Sequence, residues 1–168
     1  ANDDSFDLLL TPIGAGTANT KANEGGVRGG NSVGPGEAMR ADFVVDLTGD
    51  PKGTPYTDAA NQDHVFDSHY DVNGASALFT HTAGSTVLIK AYDDADGNDV
   101  GDGVQDDITA IGISYNGEEI FVSSVLGTSQ TVTVDGHDFD VTFDGDNAQV
   151  AGVFDGVALS AFTVDGYN

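Results

Sequence analysis

Apolar side chains recur at every second position along most of this chain, and this is the period of a β-strand rather than of a helix. In the run 39–47, Phe43 and Val45 fall on one face, while Arg40 and Asp42 fall on the other. Asn-Gly and Asp-Gly pairs end several such runs and favour tight hairpin turns, because both turn positions take positive φ. With about ten short strands and turn signals every ~8–12 residues, the sequence predicts an all-β fold, an antiparallel β-sandwich or jelly roll.

The predicted strands are 5–13, 39–47, 63–72, 75–82, 85–92, 108–115, 118–123, 130–134, 137–143, 148–154 and 157–164. Strands 63–72 and 75–82 are expected to turn at Asn73-Gly74, and 85–92 is expected inside a sheet because it is apolar on both faces. Two segments, Gly14–Gly36 and Thr48–Gln62, are long and irregular, which is typical of functional or mobile loops. Since no repeat or linker interrupts the pattern, residues 1–168 are expected to form one domain, a module cut from a longer polypeptide.

The charge balance narrows the function classes. The 168 residues include 28 acidic and 5 basic side chains, giving a net charge of −23. Such a chain lacks the basic clusters that phosphate backbones and anionic membranes require, so neither nucleic-acid binding nor membrane insertion is expected. The absence of cysteine excludes disulfides and thiolate chemistry. Aspartate far outnumbers glutamate and glycine is frequent, which favours loops that bind hard cations over plain solubility or salt adaptation.

The densest carboxylate segment is 93–107, between two apolar strands. Its seven aspartates are Asp93, Asp94, Asp96, Asp99, Asp102, Asp106 and Asp107. Ca²⁺ is the expected ion because it accepts 6–8 oxygens at ~2.3–2.6 Å in flexible geometry, whereas Mg²⁺ needs a stricter octahedron and Zn²⁺ prefers His or Cys. We predict that Asp93, Asp96, Asp99 and Asp102 are the main ligands. The EF-hand pattern fails, because its glycine would fall on Asp99 and its glutamate on Gln105, and the alternative is a merely solvated acidic loop.

A second group of carboxylates lies on or beside the strand 39–47. Asp42 and Asp46 are spaced for one face, Glu37 precedes the strand, and Arg40 lies between them. This group is either a second cation site, with Arg40 neutralising the carboxylates or receiving an anionic ligand, or a polar face turned to solvent.

Catalytic signals are weak. The four histidines lack metal-ligand spacing and are expected to be surface or packing residues, and the serines lie in no nucleophile elbow. Paired carboxylates leave a glycosidase open by residue type, but the chain has no Trp and only 5 Tyr to line a sugar-binding cleft. We therefore expect a protein that is not an enzyme.

Several segments resemble a module of long bacterial RTX adhesins. The segment Gly36–Val44 resembles the strand G-E-x-x-R-x-D-F-V of that module, Phe66–Ala75 and the loop 93–107 resemble its following parts, and Asp165–Asn168 is similar to its last strand. The resemblance spans roughly residue 25 to the end, although each motif is short.

The resemblance implies an extracellular module on a bacterial cell surface, monomeric within a tandem chain and serving cell adhesion and biofilm formation. Its cofactor would be Ca²⁺, in several ions. Some modules of this kind hold the C-terminal carboxylate of a peptide through bound Ca²⁺, which would here involve Asp99, Asp102 and Arg40 in a cleft walled by Gly14–Gly36 and Thr48–Gln62. Others are spacers or bind sugars, so a calcium-rigidified extender and a carbohydrate-binding module that takes a surface glycan remain as alternatives.

Overall fold

The computed structural model of the chain is built from antiparallel β-strands. It describes residues 5–13, 17–20, 25–27, 32–49, 64–80, 84–94, 100, 103–125 and 127–167, with only the backbone for 164–167. Every regular element in these ranges is a strand, and every strand pair is antiparallel. The predicted all-β class is therefore confirmed.

The strands in the described ranges are β1 Phe6–Ile13, β2 Ala18–Asn19, β3 Gly26–Val27, β4 Ala38–Val45, β5 Thr48–Gly49, β6 His64–Val65, β7 Ser68–His69, β8 Val72–Phe79, β9 Ser85–Asp93, β10 Val104–Asp106, β11 Ile108–Tyr115, β12 Glu118–Ser123, β13 Ser129–Val134, β14 His137–Asp144, β15 Asn147–Gly152 and β16 Val157–Tyr167.

The chain forms two compact units. The first comprises residues 1–70 and 95–102, and the second comprises 71–94 and 103–168. In the first unit, β1, β4 and β7 form a sheet in the order β1-β4-β7, while β2–β3 and β5–β6 are short two-stranded ribbons. Its core consists of Leu9, Val44 and Phe66, against which Leu47 and Val100 pack.

The second unit is a β-sandwich. One sheet has the strand order β12-β11-β16-β8 and the other has β10-β9-β15-β14-β13. The ring of Phe154 lies 5.8 Å from that of Phe79 in the first sheet and 5.8 Å from that of Phe139 in the second, so it links the two inner faces. The buried apolar residues of this unit are Ala91, Ile108, Ile111, Ile113, Val122, Val134, Phe139, Val141, Phe143, Ala148, Val150, Phe154, Val157, Leu159 and Ala161.

Two predicted hairpin turns are confirmed by their backbone angles. Asn116 and Gly117 have φ of 49° and 87°, and they join β11 to β12. Asp135 and Gly136 have φ of 45° and 78°, and they join β13 to β14. These values belong to the type I′ turn that Asn-Gly and Asp-Gly favour. The two turns also contact each other, since Asn116 Nδ2 donates to Asp135 Oδ2 over 2.7 Å.

The predicted turn at Asn73-Gly74 is wrong. β8 runs through both residues and pairs with β16 from Gly74 opposite Phe162 to Phe79 opposite Val157. A Cβ on Gly74 would lie only 2.6 Å from the Phe162 ring, so glycine is needed here for close packing and not for a turn. Asn-Gly alone does not distinguish these two uses of glycine.

The other strand predictions are confirmed to differing degrees. Runs 5–13, 85–92 and 108–115 become β1, β9 and β11, and β9 lies inside its sheet between β10 and β15. The run 63–72 is instead divided between β6, β7 and the first residue of β8. Short ribbon strands β2 and β3 lie within Gly14–Gly36, whereas most of Thr48–Gln62 lies outside the described residues. The expectation that 1–168 is one domain stays a prediction.

Candidate functional site

The acidic loop is held at its base by strand pairing. β9 and β10 are antiparallel, with Asp93 opposite Val104 and Ala91 opposite Asp106. Gln105 Nε2 donates to Asn147 Oδ1 over 3.2 Å, which fixes β10 beside the turn between β14 and β15. The ends of the loop are thus brought together, as the apolar flanking strands predict.

Close packing tightens this base. A Cβ on Gly103 would lie 2.9 Å from the carbonyl oxygen of Asp93 and 3.1 Å from Cβ of Asp94. Asp94 itself is only 3% exposed, which is rare for a carboxylate. We refer to Asp93, Asp94 and Gly103 as the loop neck. Glycine at 103 lets the two chain segments approach each other at the neck.

Carboxylates also gather beside the neck. The side chain of Asp107 is hydrogen-bonded to that of Asp146, and this contact is the main reason why the pKa of Asp107 is raised, with smaller contributions from burial and from the charges of Asp146 and Asp106. Asp106 Oδ1 accepts the Asp107 N–H, while its buried Oδ2 has no hydrogen-bond partner among the described residues. Two like charges so close together favour a bound proton or cation.

Sequence reasoning did not identify Asp146. It lies in the Asp144-Gly145-Asp146-Asn147 turn, about forty positions from Asp107, and only the β9–β15 pairing and the Gln105–Asn147 contact bring this turn close to β10. The sequence does show an acidic turn at 144–147, but only the strand order shows that this turn lies close to the acidic loop.

Three of the four favoured calcium ligands, Asp96, Asp99 and Asp102, lie outside the described residues. The structure places Asp93 and Asp94 at the neck, and Asp106 and Asp107 just after it. Within the described ranges, no group of three or more His, Asp or Glu side chains is arranged to hold a metal ion. The calcium site therefore stays a prediction for the loop as a whole.

In the first unit, the Asp42 side chain is fully buried, so the prediction of a solvent-turned polar face is wrong for this residue. Arg40 Nε donates to Asp42 Oδ1 over 2.6 Å, and the Arg40 side chain is only 11% exposed. Asp42 lies opposite Leu9 on β1, and both point into the core with Val44. The alternation along β4 is as predicted, but its Arg40–Asp42–Val44 face is the more buried one.

The buried carboxylate is incompletely satisfied. Asp42 Oδ2 and the nearby Thr11 Oγ1 are buried and have no hydrogen-bond partner among the described residues. Burial raises the pKa of Asp42, and the opposing influences of Arg40, His69 and His64 are weaker. A buried acceptor without a donor costs about 1–3 kcal/mol, so this position is energetically expensive.

The described histidines have the predicted surface or packing roles: His64 and His69 are half-buried, and His137 is exposed. His64 stacks on Phe66 with ring centroids 5.8 Å apart, and His69 meets the same ring edge-on at 4.9 Å. His137 meets Tyr115 edge-on, also at 4.9 Å. His81 lies outside the described residues. The proximity of His64 and His69 to Asp42 had no signal in the sequence.

The other acidic residues near β4 serve the backbone. Glu37 Oε2 accepts the Gly34 N–H over 2.9 Å and closes the turn before β4. Asp46 has φ of 56° and its Oδ1 accepts the Ser5 N–H over 2.9 Å, which ties the end of β4 to the start of β1. A second cation site built from Glu37 and Asp42 remains a prediction.

Comparisons of the chain with protein-family models, with curated proteins and with solved structures give no match. The described part of the chain contains no helix long and apolar enough to cross a membrane. The site is therefore interpreted from its own chemistry, and the resemblance to RTX adhesins stays a prediction.

Proposed function

We propose that this chain is a calcium-dependent ligand-binding module of an extracellular bacterial adhesin, and that it captures the C-terminus of an extended peptide through bound Ca²⁺. The observation that carries the proposal is the loop neck. Antiparallel β9 and β10 bring Asp93 opposite Val104, and the segment that they close, 93–104, carries five aspartates. Carboxylates held at such density repel one another unless a cation lies among them.

The residues beside the neck support the same chemistry. Asp107 and Asp146 are within hydrogen-bonding distance of each other, and Asp106 contributes a buried carboxylate oxygen that has no protein donor in the described ranges. Hard oxygen ligands of this kind suit Ca²⁺, with Asp93, Asp96, Asp99 and Asp102 completing the predicted set. When bound, the ion supplies positive charge to a chain whose net charge is −23.

This charge explains why the proposed ligand would need the ion. A peptide carboxylate is repelled by an acidic protein, and a calcium ion with an open coordination position reverses the local sign. Arg40 is a poorer anchor, because it is 11% exposed and bound to Asp42. We therefore assign the carboxylate contact to calcium in the loop, next to Asp99 and Asp102.

Calorimetry with four combinations tests the proposal: a peptide with a free C-terminus and the same peptide amidated, each with calcium and with chelator. We expect binding only for the free peptide with calcium. The affinity should be roughly micromolar, or ~8 kcal/mol, because the carboxylate displaces water from the ion. If amidation or chelation leaves binding unchanged, the proposed mechanism is wrong.

Variants distinguish the effect of the loop carboxylates from the effect of the overall charge. Asp99→Asn and Asp102→Asn should each weaken calcium and peptide binding, whereas Glu119→Gln, at an exposed position on β12, makes the same charge change away from the predicted ligands. Gly103→Ala should weaken calcium binding without removing a ligand, because its Cβ would push the Asp93–Asp94 segment away from residue 103 at the neck.

The alternatives give different results. An extender domain would bind calcium but no peptide, and a carbohydrate-binding module would bind a glycan regardless of peptide amidation. Equal effects of Asp102→Asn and Glu119→Gln would show that only overall charge matters, which contradicts a loop-bound ion.

A further inference from the structure

On one side of the second unit, core-facing side chains are not covered by other described residues. Residues opposite each other in an antiparallel pair point to the same face, so Ala77, opposite Leu159, and Ala75, opposite Ala161, face the core of the sandwich. Leu159 is only 3% exposed, yet Ala77 is exposed and Ala75 is only half-buried. The core-facing side chains of β16 are therefore buried, whereas those of β8 are exposed or half-buried.

The facing strand of the other sheet shows the same asymmetry. Val87 and Ile89 of β9 lie opposite Val150 and Ala148, which are fully buried, but they are themselves only half-buried. β10 pairs with β9 only at residues 91–93. Among the described residues, 85–90 of β9 therefore pair on one side only, as does the whole of β8. We call β8 and residues 85–90 the open side.

Residues 74–79 of β8 lack the features that usually protect a sheet edge. Residues 72–92 contain no Asp or Glu, although the chain has 28, and their basic residues are His81 and Lys90. β8 itself has no charge and no proline, and Leu78 is 67% exposed. Edge strands normally carry charges, prolines or bulges that prevent another strand from pairing. An uncharged edge in so acidic a chain therefore indicates a surface kept free for a strand.

We propose that β8 binds an extended peptide segment of a partner as an additional antiparallel or parallel strand. The backbone of the peptide would pair with the free edge of β8, and its alternate apolar side chains would cover Ala75, Ala77 and Phe79. This site requires neither calcium nor a terminal carboxylate, so it goes beyond the proposed function and stands or falls separately from it.

Charge identifies the peptide as neutral to basic. The open side is free of acids, but the whole chain carries −23, so its field attracts lysine or arginine at the ends of a docking strand and repels acidic segments. A second copy fits less well, because it brings another −23. A strand pair of eight residues would be about 27 Å long and only one strand wide, whereas a stable interface buries about 1,200 Å² or more.

The test uses a defined probe, the capped peptide acetyl-Lys-Thr-Val-Thr-Val-Thr-Val-Lys-amide, in chelator. Its amide end and the absence of calcium separate this site from the loop. We expect saturable binding in calorimetry and slower hydrogen exchange at β8 amides, with no slowing in β12. The same peptide with Glu in place of Lys should bind at least about tenfold more weakly, since like charge repels it.

A matched pair of variants locates the site. Ala77→Glu places a charge on the exposed core-facing position of β8 and should weaken binding at least about tenfold, while Val125→Glu, at a 52%-exposed residue just after β12 at the opposite edge of the same sheet, should change it less than about twofold. Thermal melts check that both variants fold. If Ala77→Glu does not fold, hydrogen exchange on the unmodified chain still decides.

Three results would overturn the proposal. The first is unchanged exchange at β8 in saturating peptide, and the second is an equal loss of binding in the two variants. The third is a dimer in sedimentation whose β8 amides are protected without peptide, which would identify a second copy as the occupant.

Discussion

At the scale of single residues, the ion pair of Arg40 with Asp42 is electrostatically costly. Their 2.6 Å contact lies where Asp42 is fully buried and Arg40 nearly so. Transferring both charges out of water is costly, and their attraction compensates for this only while both partners are present. Because Asp42 Oδ2 lacks a donor among the described residues, the compensation is incomplete.

Removing one partner should therefore cost far more than removing both. Arg40→Met leaves a buried carboxylate uncompensated and is expected to lower the free energy of unfolding by about 3–5 kcal/mol, whereas the double variant Arg40→Met/Asp42→Leu should be near neutral or stabilising. Urea denaturation at neutral pH measures both. Similar losses for the single and the double variant would show that the pair is a net source of stability.

The pH dependence of stability follows from the same residue. Burial raises the pKa of Asp42 above its usual 3.8, so the folded chain holds this proton more tightly than the unfolded chain does. The protonated carboxyl therefore contributes to the free energy of unfolding. This contribution is fully present below pH 3.8 and is lost as pH rises through the raised pKa of the folded chain. The amide of Asp42→Asn does not ionise, so this variant should lose less stability than the unmodified chain between about pH 4 and pH 7.

Thermal melts across that pH range check this expectation, with the exposed Asp144→Asn as the control for charge. A stability profile of Asp42→Asn parallel to that of the unmodified chain would contradict it.

At the scale of elements, features that depend on a few consecutive residues could be predicted from the sequence, whereas features that depend on which strands lie side by side could not. Asn116-Gly117 and Asp135-Gly136 could be assigned because positive φ at a two-residue turn depends on those residues alone. The role of Gly74 could not be assigned in this way, since it depends on the Phe162 ring of a strand far along the chain. The same holds for the candidate site, where the loop base followed from its flanking strands but Asp146 depended on strand order.

The packing role of Gly74 can be measured. Gly74→Ala places a Cβ 2.6 Å from the Phe162 ring and should destabilise the second unit by about 1–3 kcal/mol, as overpacking does. Gly25→Ala is the matched control, because a Cβ there meets nothing within 4 Å, and it should stay within about 0.5 kcal/mol. Equal stability of the two variants in urea denaturation would mean that the ring moves aside without cost.

At the scale of the whole molecule, a net charge of −23 on 168 residues opposes compaction in both units. Calcium in the loop would relieve the repulsion where it is densest. A ligand that binds only the folded state stabilises it by mass action, about 2.7 kcal/mol at a hundred times its Kd.

We therefore expect millimolar calcium to raise the melting temperature well above its value in chelator. Sodium chloride of equal ionic strength is the control for screening, which acts on all exposed charges within ~10 Å at 0.1 M. Coincident melting curves in calcium and in chelator would contradict the expectation, as would an equal shift in sodium chloride.

The pairing of β8 with β16 also bears on the order of folding. The first strand of the sandwich closes against the last one, whereas β11–β12 and β13–β14–β15 are neighbours in sequence. During synthesis the hairpins can form as they emerge, but β8 has no partner until the final strand is available. Proteins dominated by pairing between strands far apart in the sequence fold slowly, in roughly milliseconds to seconds. Until then, an uncharged strand is left exposed on the growing chain.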